Sequence, residues 1–236
     1  MLVEIWSDVV CPWCAVGKVR FERALAQFEH ADEVELRWRS FELDTKRVTV
    51  PDEDYVTLLA TKYRTSRDQA QTMIDTMTES GAAEGLEFRF DIAKPGNTFD
   101  AHRVLHLAAA RGLQHEVQNR FLAGYHSEGA AIADHDTLIR LAVEAGMIED
   151  EVCATLGTDA YADAVRADEE QAHTYGISGV PFFVIDGKVG VSGAQPAQHL
   201  LDALRQVHAQ GGALATVPAT DAHAHDAACA DGACAI

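Results

Sequence analysis

The sequence predicts an α/β fold in which the two ends of the chain build one sheet around an inserted block of helices. Residues 1–45 show a strand, a helix and a strand, and residues 177–208 show two further strands and a helix. Residues 46–176 between them carry helical periodicity. Residues 209–236 are dominated by small and polar side chains and are expected to form a flexible tail. A chain of 236 residues is long enough to bury a substantial core.

The N-terminal segment predicts a parallel pair of strands. Val3–Trp6 is a short apolar run, and Val34–Arg39 alternates apolar with polar side chains, which is typical of a strand with one buried face. The residues between them have the length and spacing of a helix. A strand, a helix and a strand in this order favour a right-handed crossover, which makes the two strands parallel.

The C-terminal segment predicts an antiparallel hairpin followed by a helix. Pro181–Ile185 has strand character, and Lys188–Val191 is the returning strand. Asp186–Gly187 between them is a common two-residue hairpin turn. Pro196–Val207 carries its leucines on one side and predicts an amphipathic helix. Together with the first strands, this order predicts a thioredoxin-like sheet that a helical domain interrupts.

Helix boundaries in the inserted block are predicted from capping residues and glycines. Proline and acids favour the first turn, Ser and Thr favour the cap, and Gly favours the end of a helix. The apolar stripes of these helices are expected to face the core. The expected starts are Pro51–Glu53, Ser66, Asn97–Phe99 and Thr158, and the expected ends are Gly81, Gly112, Gly146 and Gly176.

The chain is strongly acidic. It has 19 Lys and Arg against 37 Asp and Glu, and its formal net charge is −18. Nucleic acids and anionic membranes repel such a surface, so neither is expected as a partner. No apolar run approaches the roughly 20 residues that span a bilayer. Strand residues begin at Leu2 and leave no room for a leader peptide, so we expect a cytoplasmic protein.

The most informative motif is Cys11-Pro12-Trp13-Cys14, between the first strand and the first helix. A helix N-terminus presents unpaired N–H groups and a partial positive charge, and both stabilise a thiolate. Pro12 fits the first helical turn because no N–H is needed there. A zinc site would need a second ligand pair, and no second Cys-x-x-Cys occurs. The motif therefore predicts a thiol–disulfide exchange centre.

The other three cysteines divide between a helix and the tail. Cys153 lies in a helical pattern and is expected to be a small core residue. Cys229 and Cys234 form a Cys-x4-Cys pair that can close a disulfide, and we expect it to act as a redox relay for the first pair. His223 and His225 precede it, so metal binding and no role are the alternatives. The histidines outside the tail show no ligand constellation, and no metal ligand is assigned among them.

Three short segments carry a family resemblance. They read SDVVCPWC at residues 7–14, NTFDAHR at 97–103 and SGVPFF at 178–183, and they follow one another in the expected order. The chain resembles the DsbA family of thioredoxin-fold oxidoreductases, and it is most similar to the FrnE-like cytoplasmic branch. The likeness covers about residues 1–208. A second cysteine pair near the C-terminus is a known feature of that branch.

The resemblance implies which residues lie beside the cysteines. Pro181 would follow a cis peptide bond and pack beside the cysteines, and the backbone of Val180 would pair with an extended substrate chain. Pro12 and Trp13 would support the site between the cysteines. Cys11 lies nearer the helix start than its partner and is expected to be the more exposed, attacking thiol.

Two positions depart from the family pattern. Thioredoxin-fold enzymes often carry a buried carboxylate six residues before the first cysteine, where this chain has Ile5. Glu4 and Asp8 flank this position. Asp8 is expected to be a solvated turn acid, with proton transfer for Cys14 as the alternative. Trp13 stands where the most oxidising members have His, and because Trp has no cationic form we expect a less oxidising couple.

The predicted function is that of a thiol–disulfide oxidoreductase or isomerase for protein disulfides, with Cys11 attacking and Cys14 resolving the mixed disulfide. No cofactor is expected beyond the redox-active disulfide, with glutathione as a candidate co-substrate. The expected partners are protein thiols and disulfides and a cytosolic reductant such as the thioredoxin or glutathione system.

Two other function classes stay open. Glutathione-dependent kappa-type transferases and 2-hydroxychromene-2-carboxylate isomerases use the same fold, and the resemblance implies that they carry a single Ser in place of Cys11. Asn97, Thr98, Val180 and Pro181 would suit a glutathione site. The non-enzyme alternative is a metal-binding or holdase protein that uses the acidic, His- and Cys-bearing tail.

Overall fold

The computed structural model describes residues 1–46, 53–209, 215–216 and 234–235, and it has the predicted α/β fold. The strands are β1 (Leu2–Ser7), β2 (Glu35–Ser40), β3 (Gly179–Val180), β4 (Phe182–Ile185), β5 (Val189–Ser192), β6 (Ala215–Thr216) and β7 (Cys234–Ala235). The helices are α1 (Pro12–Leu25), α2 (Tyr55–Tyr63), α3 (Arg67–Ala83), α4 (Phe99–Ala110), α5 (Gln114–Glu128), α6 (His135–Glu144), α7 (Glu149–Leu156), α8 (Ala162–Thr174) and α9 (Ala197–Ala209).

Five strands form one mixed sheet in the order β2-β1-β4-β5-β6, and β3 pairs with β7. β1 and β2 are parallel, which confirms the prediction from the strand–helix–strand order, whereas β4 runs antiparallel to β1 and β5. Ile5 in β1, an interior strand, therefore lies opposite Trp38 on one side and Phe183 on the other. Asp186 and Gly187 have φ angles of 51° and 62°, which confirms the hairpin turn.

The two faces of β1 separate the main core from the redox motif. Val3 and Ile5 lie in a core shared with Phe21 of α1 and Leu204 of α9. Trp6 belongs instead to the cluster that contains the two motif cysteines. Since side chains alternate along a strand, the register of β1 decides which residues reach the motif.

The inserted helices form a second core that contacts the sheet. Val104, Phe121, Leu138 and Leu141 are buried together where α4, α5 and α6 meet, so the predicted apolar stripes face the core. α3 packs on α1, and α8 packs on β2. The inserted block thus flanks the start of α1. The domain boundaries at residues 45, 176 and 208 stay predictions.

The start of α3 agrees with the sequence, and the start of α8 does not. Ser66 caps α3 in a reciprocal capping box with Gln69, as predicted. α8 begins only after Tyr161, whose φ is 63°, so the prediction that Thr158 caps this helix is wrong. The Thr158 hydroxyl donates to the carbonyl of Ala154 in α7 at 2.9 Å, and this bond keeps it with the preceding helix.

Other helix boundaries shift by a few residues. Asp54 caps α2, so Glu53 of the predicted start precedes the helix, and residues 51–52 lie outside the described residues. α3 continues past Gly81, because a glycine inside a helix weakens it without ending it. The glycines that follow α4, α6 and α8 have φ angles between 71° and 98°, as expected for helix ends.

The structure bears on two expectations about the periphery of the molecule, the burial of Cys153 and the tail. Cys153 is exposed on α7, and the prediction that it lies in the core is wrong because its neighbour Val152 takes the inward position. In the predicted tail, Ala209 ends α9, and the backbones of β6 and β7 take part in strand pairing. The expectation of a flexible tail otherwise falls on residues 210–214, 217–233 and 236, outside the described residues. No helix in the described ranges combines the length and apolarity that crossing a membrane requires.

Candidate active site

The cysteine motif lies where β1 passes into α1, as predicted. Cys11 is the N-cap residue, with φ −89° and ψ 114°, and Pro12 is the first helical residue. The Cys11 carbonyl accepts hydrogen bonds from the N–H groups of Cys14 at 3.1 Å and Ala15 at 3.3 Å. Both cysteines are present as thiols. Both cysteines therefore lie at the positive end of the α1 dipole.

The loop before β4 forms the other wall of the site. Its Val180–Pro181 peptide bond is cis, the geometry that the family resemblance implies. The Cys11 Sγ donates a hydrogen bond to the Val180 carbonyl at 3.6 Å. The Pro181 ring lies so close to α1 that a Cβ on Gly17 would come within 2.8 Å of its Cγ. This close approach explains why the helix has glycine here.

Both thiols are buried. Cys11 exposes 0% of its surface and Cys14 1%, so the expectation that Cys11 is the more exposed is wrong. The reason is that they pack in an apolar cluster with Trp6, Phe41 and Val180. These apolar side chains cover the two thiols. A substrate disulfide can reach the Cys11 sulfur only after this cover opens.

A strand from the C-terminal segment pairs beside the site. β7 runs antiparallel to β3, with Cys234 opposite Val180 and Ala235 opposite Gly179. The backbone that would bind an extended substrate is thus paired with the chain's own C-terminal segment. Cys229, the other member of the predicted tail pair, lies outside the described residues.

Asp8 is buried one turn before the motif, and the prediction that it is a solvated acid is wrong. Its carbonyl accepts the Cys11 N–H at 3.1 Å. One carboxylate oxygen accepts the Leu43 N–H at 2.8 Å, and the other lies 3.5 Å from Nε2 of His102. At that distance the second contact is an ion pair rather than a short hydrogen bond. The site therefore carries an interior acid that the turn pattern concealed.

His102 is a site residue that no helical periodicity reveals, because its burial depends on distant segments. Burial disfavours the imidazolium, but the charges of Asp8 and Glu42 outweigh it and raise the pKa of His102. Glu42 in turn accepts hydrogen bonds from Asn97 at 3.1 Å and Arg166 at 2.6 Å. The only sequence signal for His102 is its place in the motif at residues 97–103.

His126 contacts the motif from α5. It is fully buried, and its ring hydrogen-bonds to the backbone of Cys11. Burial lowers the pKa of His126 to about 3, so the ring is neutral at neutral pH. Its Nε2 has no hydrogen-bond partner among the described residues. Sequence gave no sign of this contact, because α5 shows only its apolar stripe.

Ile5 and its neighbour Glu4 do not supply the missing carboxylate. Ile5 lies in the apolar core. Glu4, on the other face of β1, forms an ion pair with Arg39 of β2 and is largely buried there. The missing family carboxylate is therefore not replaced by Glu4.

A pocket with a volume of about 90 Å³ opens beside the motif, between Pro12 and the inserted helices. Its lining combines Asp8 with Lys62, Tyr63 and Thr98. Apolar walls with a few charged groups are typical of sites that hold a peptide side chain or a small ligand.

One group of histidines outside the tail is brought together by the fold. His30 and His208 meet Glu33 at the surface, and their ligand atoms lie within 4.8 Å of one another. The prediction that these histidines form no ligand constellation is therefore wrong, because the fold joins residues from the two ends of the chain. The tail residues His223 and His225 lie outside the described residues.

Comparisons with known proteins identify the family of this chain. Residues 2–205 match the model of the DSBA-like thioredoxin domain. A probable DsbA oxidoreductase of Streptomyces coelicolor is 45% identical, with a TM-score of 0.85, over 100% of this chain and 99% of that one. Uncharacterized protein YwbO of Bacillus subtilis is 31% identical over 189 residues, which are 79% of this chain and 88% of YwbO. The cytosolic disulfide reductase DsbM of Pseudomonas aeruginosa, with GSH, shares the fold at 16% identity and a TM-score of 0.59, over 89% and 98% of the two chains. This chain is thus a member of the DsbA-like thioredoxin-domain family of thiol oxidoreductases.

Proposed function

We propose that the protein is a thiol–disulfide oxidoreductase that acts on protein disulfides through Cys11 and Cys14. The observation that carries this proposal is the 3.6 Å contact of Cys11 Sγ with the Val180 carbonyl at the N-terminus of α1. The contact places the attacking sulfur, at the positive end of the helix, next to backbone that suits an extended chain. Pro12 and Trp13 keep the second thiol within the same helical turn.

The reaction proceeds by two exchanges. The Cys11 thiolate attacks one sulfur of the substrate disulfide, and the other substrate sulfur leaves as a thiolate that takes up a proton. The Cys14 thiolate then attacks Cys11 Sγ, which closes the Cys11–Cys14 disulfide and releases the second substrate thiol. The substrate gains two electrons and two protons, and the enzyme loses them. A cytosolic reductant of the thioredoxin or glutathione class restores the dithiol, and no other cofactor takes part.

Resolution requires that Cys14 first lose its proton. We assign the acceptor role to Asp8, a buried carboxylate in the turn that leads into the motif. Its hydrogen bond from Leu43 and its contact with His102 hold the carboxylate in place within the turn. Proton transfer within the interior then accompanies opening of the cover over the thiols.

The tail pair is proposed to pass electrons to the first pair. A reduced Cys229–Cys234 dithiol attacks the Cys11–Cys14 disulfide and becomes a disulfide itself, which leaves the first pair reduced. The pairing of Cys234 with Val180 supports this role, because it brings the backbone of one tail cysteine beside the Cys11 contact. Replacing both tail cysteines by Ser should slow reduction of the Cys11–Cys14 disulfide by dithiols, whereas Cys153→Ser should not. If the two variants are reduced at equal rates, the tail pair is not a relay, and metal binding or no role is left for it.

Insulin reduction tests the main proposal. Cys11→Ser should abolish the activity, because the attacking sulfur is lost, and Cys14→Ser should trap mixed disulfides with insulin on non-reducing gels. Cys153→Ser is the matched control, since this thiol is exposed and outside the motif. Insulin reduction by Cys11→Ser at the wild-type rate would overturn the assignment.

A glutathione-dependent transferase or isomerase is the second candidate, and the pocket beside Pro12 is the observation that favours it. Against it, Asn97 already donates to Glu42 and accepts the Phe99 N–H, so its side chain is engaged within the protein. Glutathione-conjugation assays with the Cys14→Ser variant separate the candidates, because a transferase does not need a second cysteine.

A further inference from the structure

A cluster of ligand-type side chains lies at the far end of α1 from the redox motif. α1 has 14 residues and so separates the two ends by about 20 Å. His30 and Glu33 belong to the connection from α1 to β2, and His208 lies in the last turn of α9. The His30 Nδ1 is 3.1 Å from one Glu33 carboxylate oxygen, and the His208 Nε2 is 3.6 Å from the other.

Packing holds the two imidazole rings in place. Their centroids are 3.7 Å apart with an interplanar angle of 17°, so the rings stack. The buried ring of Phe28 meets both of them edge-on, at 5.7 Å and 5.8 Å. A pair of rings fixed in this way loses less side-chain entropy when it binds a ligand than two free surface histidines would.

The donor set suits a transition-metal ion. Two imidazole nitrogens and one carboxylate are common ligands of zinc and similar ions, and all three atoms lie within 4.8 Å of one another. The Glu33 side chain is 56% exposed and those of His30 and His208 are 42% and 34% exposed, so an ion and its remaining water ligands have access.

We propose that His30, Glu33 and His208 form a binding site for a divalent transition-metal ion, with Zn²⁺ as the ion that the donor set fits best. The bound ion ties the end of α9 to the α1–β2 connection. It stabilises the folded chain because the unfolded chain does not hold residues from opposite ends of the sequence together. This site takes no part in the proposed thiol exchange.

Calorimetric titration with Zn²⁺ tests the site. The full-length protein is first oxidised, so that the thiols of the two cysteine pairs cannot bind metal, and Cys153 is alkylated. His223→Gln and His225→Gln are introduced to remove the tail imidazoles. This background should bind one equivalent of Zn²⁺, and its thermal unfolding temperature should rise with Zn²⁺ concentration.

Substitutions within this background assign the ligands. His30→Gln and His208→Gln should each weaken Zn²⁺ binding by more than roughly 10-fold. Loss of a residue that only supports a metal ligand already costs roughly 10- to 100-fold in affinity. His115→Gln is the matched control, because His115 also lies 3.2 Å from a glutamate at the surface, Glu22, and should leave the affinity unchanged. Glu33→Gln provides a second ligand test if a histidine variant is less stable without metal.

Three outcomes would overturn the proposal. They are an absence of stoichiometric Zn²⁺ binding in the background protein, unchanged affinity in His30→Gln and His208→Gln, and an equal loss of affinity in the His115→Gln control. If the background protein binds no Zn²⁺ but the protein with His223 and His225 intact does, the metal belongs to the tail instead.

Discussion

At the scale of single residues, Trp13 leaves the motif without a charged side chain between its two cysteines. Its side chain packs partly buried between the cysteine cluster and the apolar cluster of α1 and α3. Its Nε1 has no hydrogen-bond partner among the described residues. The side chain therefore supplies bulk without a positive charge next to the thiols.

The reduction potential should reflect this absence of charge. We expect a potential well below the value of about −120 mV that DsbA has, and a shift toward that value in Trp13→His, because an imidazolium stabilises the thiolate of the reduced form. Quantitative thiol trapping in glutathione redox buffers measures both. Trp13→Phe is the control, since it keeps an aromatic ring. A wild-type potential near −120 mV, or equal potentials in the His and Phe variants, would contradict this account.

His126 should make the folded protein sensitive to mild acid. Its pKa is about 3 in the folded protein and about 6.5 in an unfolded chain, so below pH 6.5 only the unfolded chain takes up the proton. Stability should then fall by up to about 1.4 kcal/mol per pH unit between pH 6 and 4. His126→Gln does not titrate and should flatten this slope in urea unfolding, whereas the exposed His135→Gln should keep it.

At the scale of elements, α1 carries both the thiols and the face that receives the cis proline. Sequence identified this helix correctly, since its Pro at the first position and its strand-to-helix context are local signals. Local signals also identified Ser66 as a cap. They failed at Thr158, because its hydroxyl bonds back to the Ala154 carbonyl four residues earlier and so keeps Thr158 with α7.

Gly17→Ala should disturb the site through its contact with Pro181. The added Cβ would lie 2.8 Å from the proline ring and 3.5 Å from the Ala194 backbone, so the loop must shift. We expect a loss of about 1–3 kcal/mol of stability and a slower insulin reduction. Gly124→Ala in α5 is the control, because the atoms nearest its added Cβ belong to the Leu141 side chain of α6, 2.9 Å away, and to Arg120 rather than to the cis-proline loop. A wild-type rate in Gly17→Ala would show that this close approach does not matter for activity.

At the scale of the molecule, Asp168 of α8 joins the inserted block to the sheet. Its carboxylate is buried and accepts from Arg39 at 2.7 Å and from the Ser40 N–H at 2.9 Å, and it lies 3.1 Å from His106 Nε2. Its carbonyl accepts the Trp6 indole N–H at 2.9 Å. One acid thus fixes α8 against both N-terminal strands.

Asp168→Ala should be severely destabilising. It leaves Arg39 with one partner fewer and the Ser40 N–H buried without an acceptor, which typically costs about 3–5 kcal/mol. The exposed Asp163 on the same helix is the matched control, and Asp163→Ala should change stability by less than about 0.5 kcal/mol. Urea unfolding measures both, and similar midpoints in the two variants would contradict the role assigned to Asp168.

The parts of the site that sequence predicted are those encoded by adjacent residues. Cys11 and Cys14 share one turn, and the Val180–Pro181 step has its own motif. The parts that it missed depend on contacts between distant segments. Burial of His126 beneath the motif and the meeting of His30 with His208 follow only from helix packing, which no single periodicity specifies.

Burial of Cys11 and Cys14 also bears on chemical damage. Hydrogen peroxide converts accessible thiolates to sulfenic and then irreversibly to sulfinic acid, and the rate depends on exposure as well as ionisation. With 0% and 1% of their surfaces exposed, the two thiols are sheltered as long as the cover stays closed. Among the three cysteines whose side chains the structure describes, exposed Cys153 is then the one that oxidants meet first. The same cover that delays a substrate therefore preserves the dithiol between turnovers.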